Sequence, residues 1–170
     1  MQNHFDLFQL PQQFAIDAAA LDRAYHEVQH KVHPDRFAHA SDSERRVAMQ
    51  WATRANEAYK VLKNPFRRAA YLCELNGVDL EVESNTSMPA AFLMQQMEWR
   101  EALDDARTSR NGDALHELAQ AIGEERKAVL AETATHLNQG EFTQAAGLVR
   151  QLMFLEKFAD EVLNAQDALI

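Results

Sequence analysis

Apolar side chains recur three and four residues apart along nearly all of this 170-residue chain, the mark of helices that each bury one face. Between Asp17 and Val32 that stripe is Leu21, Ala24, Tyr25, Val28 and Val32. Pro34 then ends the helix and biases His33 towards an extended backbone. A second start follows at Ser41-Asp42-Ser43-Glu44, which has the form of a capping box. The helix it opens is expected to reach about Leu62, with Val47, Trp51, Ala55, Ala58 and Leu62 turned inward. Asn64-Pro65 starts a short helix that closes at Gly77. Residues 78–87 show neither period, and Asn85, Thr86 and Ser87 lead into a fresh start at Met88-Pro89. Three further helices are expected, over about 89–108, 113–137 and 142–167, joined by turns short enough to make neighbours antiparallel. Five Gly, four Pro and few β-branched runs argue against a β fold. The expectation is all-α: a helical hairpin over 1–76, a linker over 77–88, and a three-helix bundle over 89–170.

Charge narrows the partners. The chain carries a net -9, so nucleic acid and anionic membrane, both negative, are poor targets. The charge is uneven: residues 1–76 hold 10 basic and 9 acidic side chains, while residues 77–170 hold 7 and 17. Halves so different suggest two domains with two partners. One cysteine, Cys73, makes neither an internal disulfide nor a cysteine zinc site. The first residues lack a basic-then-apolar secretory signal, and no apolar run approaches the roughly 18 residues of a membrane span. A reducing, cytoplasmic setting is the expectation.

Chemistry-bearing residues gather at the first helix break. His33-Pro34-Asp35 puts an imidazole and a carboxylate on a proline-fixed turn. The preceding helix turns Arg23, His26 and His30 away from its apolar stripe, with Lys31 and Arg36 flanking and Asp22 and Glu27 diluting the positive charge. Any one of these residues also suits an ordinary solvated face, and His33 and Asp35 an ordinary turn. His26, His30 and His33 make a partial metal set that no suitably spaced Cys or later His completes. With no nucleophile elbow or phosphate loop either, no metal, cofactor or enzymatic activity is expected.

The segment 89–108 is apolar on two sides. One stripe is Phe92, Gln96, Trp99, Leu103 and Ala106. A second arc carries Leu93, Met94 and Met97 with Glu98, Glu101, Asp104 and Asp105. An apolar centre rimmed by carboxylates fits a protein-binding surface, and methionine supplies a conformable contact. The same arc fits a helix packed on both sides. In the last helix the stripe is Leu148, Leu152, Leu155, Ala159 and Val162; Phe154 points well off it, and Phe158 is nearer the core.

These motifs together resemble the J-domain co-chaperones, and within them the HscB branch. The matching elements are Phe5-Asp6-Leu7-Phe8-Gln9-Leu10-Pro11, the helix ending in His33-Pro34-Asp35-Arg36-Phe37, and Asn56-Glu57-Ala58-Tyr59-Lys60-Val61-Leu62. Arg67-Arg68-Ala69-Ala70-Tyr71-Leu72 follows, then Phe92-Leu93-Met94 through Leu103, and Arg150 to Lys157. The resemblance implies a J-domain hairpin followed by a three-helix bundle, and a non-enzymatic activator of a DnaK-like ATPase, HscA, in iron–sulfur cluster assembly. It implies that the His33-Pro34-Asp35 loop, with Arg23, His26, His30, Lys31 and Arg36, meets the chaperone. It also implies that Leu93, Met94, Met97, Glu98, Glu101, Asp105 and Phe154 bind the scaffold protein IscU. A general J-domain protein with another client on its bundle is the alternative.

Overall fold

The computed structural model describes residues 2–80 and 88–170, so the expected turn at Asn85, Thr86 and Ser87 lies outside the described residues. Among the described residues seven α-helices follow one another: α1 (His4–Leu7), α2 (Ala18–Val32), α3 (Asp42–Lys63), α4 (Pro65–Leu75), α5 (Ala90–Ser109), α6 (Gly112–Asn138) and α7 (Phe142–Asp167). A 3-10 turn, Pro34–Phe37, separates α2 from α3. No strand occurs among the described residues. The chain divides into two compact units, Met1–Leu72 and Cys73–Ile170.

The first unit is built around α2 packed on α3. Asp17 caps α2 by accepting the amides of Ala19 and Ala20. Ser41 and Glu44 form the reciprocal capping box of α3: Oγ of Ser41 accepts the Glu44 amide at 3.2 Å, and the Glu44 carboxylate accepts the Ser41 amide at 3.3 Å. Asn64 Oδ1 accepts the Arg67 amide, so Asn64-Pro65 opens α4 as its residue types dictate. Gly77, at φ +82°, lets the Val78 amide reach back to the Cys73 carbonyl at the end of α4. Helix α1 carries its own capping box on Asn3 and Asp6. Its Phe5 is buried, with Leu21, Ala55, Ala58 and Leu62.

One expected core position is corrected. Val47 is 51% exposed, and Ala48, one residue on, is buried in its place. Adjacent helical positions differ by about 100°, and the small Ala48 is the one turned inward. Val47 instead lines a shallow apolar groove with Val32, Phe37 and Trp51.

In the second unit α6 and α7 pack along much of their lengths, with α5 laid against them. Leu103, Ala106, Leu115, Leu118, Ile122, Phe158, Val162 and Ala165 form one buried cluster. Val149, Leu152 and Leu155 continue the core of α7, while Leu148, expected there, is half-buried. Truncating any large member to alanine is expected to cost about 2–5 kcal/mol. The hydroxyl of the buried Thr133 is satisfied by donating to the Val129 carbonyl at 2.7 Å. Residues 79 and 80 belong to this unit: Arg150 donates to their carbonyls at 3.0 and 3.3 Å, and Leu80 is buried. Cys73 is buried too, its Sγ 3.9 Å from the Phe142 carbonyl, and burial pushes its thiol pKa up to about 11. A thiol held in that form is a packing group and not a nucleophile.

Candidate functional site

The loop between α2 and α3 is displayed by a rigid hairpin. Tyr25 of α2 stacks on Tyr59 of α3, with ring centroids 4.1 Å apart. The Tyr25 hydroxyl donates to Asn56 at 2.6 Å. One turn away, Asp22 accepts from Tyr59 at 2.8 Å and from Lys63 at 2.9 Å. The hydrogen bonds from Lys63 and Tyr59 hold the Asp22 carboxyl below its ordinary pKa. Asp22 therefore turns towards α3 and not towards the outer face of α2, which corrects its expected part in diluting that face. Tyr59 lay in a recognised motif, but its pairing with Asp22 spans 37 residues and had no local signal.

At the loop, His33 leaves the helix at φ -59°, ψ 136°, the extended backbone that a following proline favours. Its Nδ1 accepts the Asp35 amide at 3.2 Å and lies 3.6 Å from the Asp35 carboxylate. In the neutral imidazole an accepting Nδ1 leaves the proton on Nε2, on the opposite edge of the ring. Both side chains are exposed. The loop thus presents a fixed N–H donor and a carboxylate to solvent, held by the 3-10 turn that begins at Pro34.

Arg23, His26, His30 and Lys31 are all exposed on α2. Glu27 pairs with Lys31 at 3.1 Å. Arg36 reaches back from the turn to His30, its Nη2 2.7 Å from Nε2. That contact ties the loop to the helix face. No cluster of three or more His, Cys, Asp or Glu able to hold a metal ion forms among the described residues.

The second arc of α5 is open. Leu93, Met94 and Met97 are 45%, 63% and 72% exposed. Glu98, Glu101, Asp104 and Asp105 are exposed on the same helix. The opposite stripe is inward: Phe92, Leu103 and Ala106 are buried, and Trp99 stacks on Phe158 of α7. Phe154 is 43% exposed. It precedes Phe158 by one turn and Glu161 by two, so all three share a face of α7. Phe158 meets Trp99, and Glu161 pairs with Arg100, so that face looks towards α5. Leu93 and Phe154 are separated by the same 61 residues that separate Arg100 from Glu161. Phe158 is buried, as its position near the stripe predicts.

Comparison with known proteins fits both units. A family model described as the HSCB C-terminal oligomerisation domain matches residues 88–163. The chain is similar to the co-chaperone protein HscB homolog of Burkholderia multivorans, 58% identical over 94% of this chain and 91% of that protein. The solved structure of the chaperone HscB from Vibrio cholerae superposes with a TM-score of 0.86 at 36% identity, covering 99% of this chain and 100% of that one. Human co-chaperone protein HscB gives a TM-score of 0.88 at 25% identity, covering 95% of this chain and 80% of that one. The chain belongs to the HscB family, the J-domain co-chaperones of iron–sulfur cluster assembly. The all-α expectation, a J-domain followed by a helical bundle, agrees with these structures. No helix among the described residues is long and apolar enough to cross a membrane.

Proposed function

We propose that the chain is a two-armed adaptor. Its first unit docks on an HscA-type chaperone ATPase, and its second grips an IscU-type iron–sulfur scaffold. His33, Pro34 and Asp35, with Arg23, His26, His30, Lys31 and Arg36, make the chaperone-facing surface. If the Nε2 donor of His33 and the carboxylate of Asp35 contact the hydrolysis-competent state of the ATPase better than its resting state, docking shifts that equilibrium and speeds turnover. No bond is made or broken on this chain in that role, so it is an activator and not an enzyme. The expected compartment is the cytoplasm.

Leu93, Met94, Met97 and Phe154 make the apolar centre of the scaffold-facing patch, and Glu98, Glu101 and Asp105 its rim. The observation that carries this reading is the exposure of Leu93, Met94 and Met97 on a helix whose opposite face is already buried. An apolar surface that completes no core is retained for a partner. The acidic rim favours a partner with basic side chains and disfavours a second copy of the same patch. Holding scaffold and chaperone together raises the effective concentration of one at the other. The test is titration calorimetry of the purified scaffold into this protein and into the variant carrying Leu93→Ala and Met97→Ala. Binding by the first and loss by the second supports the reading; equal affinity would move the scaffold elsewhere.

A further inference from the structure

The apolar patch draws residues from two helices, Leu93 and Met97 from α5 and Phe154 from α7. Its shape therefore depends on how α5 and α7 are held together. They meet over only a short seam, whereas α6 and α7 pack over much of their lengths. At that seam one cation makes two contacts. Arg100 Nη2 lies 2.8 Å from the Glu161 carboxylate, and its guanidinium sits 5.2 Å from the centre of the Phe158 ring. Phe158 stacks in turn on Trp99, with ring planes 2° apart. On α5, Leu93, Met97 and Arg100 follow at intervals of four and three, so all three share one flank. On α7, Phe154, Phe158 and Glu161 repeat that spacing.

We infer that Arg100 is a positioning residue for the scaffold-binding patch: its bridge to Glu161 and Phe158 fixes Phe154 of α7 beside Leu93 and Met97 of α5. The inference rests on the proposed role of that patch. Arginine suits the task because its planar guanidinium bonds a carboxylate in plane while its face lies on an aromatic ring. The bridge also explains a cation among Glu98, Glu101, Asp104 and Asp105. Its charge is met by Glu161 within the chain, so the rim keeps its acidic character towards a partner.

The test is calorimetry of purified IscU-type scaffold against the full chain and its variants, each checked for helicity and thermal midpoint. Arg100→Ala should weaken binding about fivefold, the size of a coupling between contacting residues. Arg100→Glu and Glu161→Arg should each weaken it, and the two together should recover most of the loss. In the Phe154→Ala background, Arg100→Ala should cost much less than in the wild type. A purely structural role would leave the two losses additive, and that result overturns the inference. So does a charge swap that fails to recover affinity, which would make Arg100 a direct contact of the scaffold. So does unchanged binding by Arg100→Ala. If the wild type does not bind the scaffold, the proposed patch itself fails, and that outcome is separate from any of these.

Discussion

The Nδ1 of His33 accepts the backbone amide of Asp35 at 3.2 Å, so these two residues of the loop are held to each other before any partner arrives. A partner then pays less ordering entropy on docking. His33→Gln removes the ring that presents the N–H donor. It is expected to abolish stimulation of an HscA-type ATPase while leaving helicity unchanged and scaffold affinity intact. Because His33 is exposed, the stability change should stay within about 0.5 kcal/mol. Steady-state phosphate release and a urea melt check both halves.

Leu93→Ala with Met97→Ala truncates the centre of the α5 patch. Central apolar contacts of an interface cost on the order of 1–2 kcal/mol each, so the pair should weaken scaffold binding by roughly 10- to 100-fold. The thermal midpoint should barely move, since neither side chain is buried in the free protein. A large fall in the midpoint would instead place these residues in the core.

Asp22 gives the first unit a defined acid sensitivity. Hydrogen bonds from Lys63 and then Tyr59 lower its pKa below the ordinary 3.8. A carboxyl with a depressed folded pKa stabilises fully above its unfolded value, and that stability is lost as pH falls through the folded one. The α2–α3 hairpin should therefore loosen as pH drops from about 4 downward. Asp22→Asn should start less stable at neutral pH and show a flatter decline over that range. Urea midpoints read between pH 6 and pH 2.5 distinguish the two slopes.

Ser41→Ala removes the acceptor for the Glu44 amide and half of the capping box of α3. The expected cost is about 1 kcal/mol. Because α3 carries Tyr59 and Lys63, the loss should appear in the unfolding of the first unit and leave scaffold affinity unchanged. Denaturant unfolding followed by circular dichroism measures it.

Helix ends were the most legible part of this chain, because caps are local chemistry. Asp17, Ser41 with Glu44, Asn64 with Pro65, and Gly77 each mark a boundary that the backbone adopts. The four-residue α1 was missed, although Asn3 and Asp6 carry the same signal three residues apart. Inward faces were less legible. Val47 and Ala48 lie about 100° apart, and which one packs depends on the neighbouring helix. Asp22 read as an outer-face charge for the same reason, since its partners are 37 and 41 residues away. The two-sided apolar pattern of α5 fixed which residues were unusual but not whether they were covered. Only the packing of Phe92, Leu103 and Ala106 on the other side settles which stripe is core. The Arg100–Glu161 bridge, which joins two helices across 61 residues, left no trace in any local window.

The central claim is that one chain couples a scaffold to a chaperone ATPase through two separate surfaces. The most direct measurement is the ATPase rate of an HscA-type chaperone with this protein, in the presence and absence of IscU-type scaffold. Wild type should stimulate alone and stimulate further with scaffold. His33→Gln should do neither, and the Leu93→Ala, Met97→Ala variant should keep the first effect and lose the second. Full stimulation by His33→Gln, or an undiminished scaffold effect in the double variant, would contradict the account.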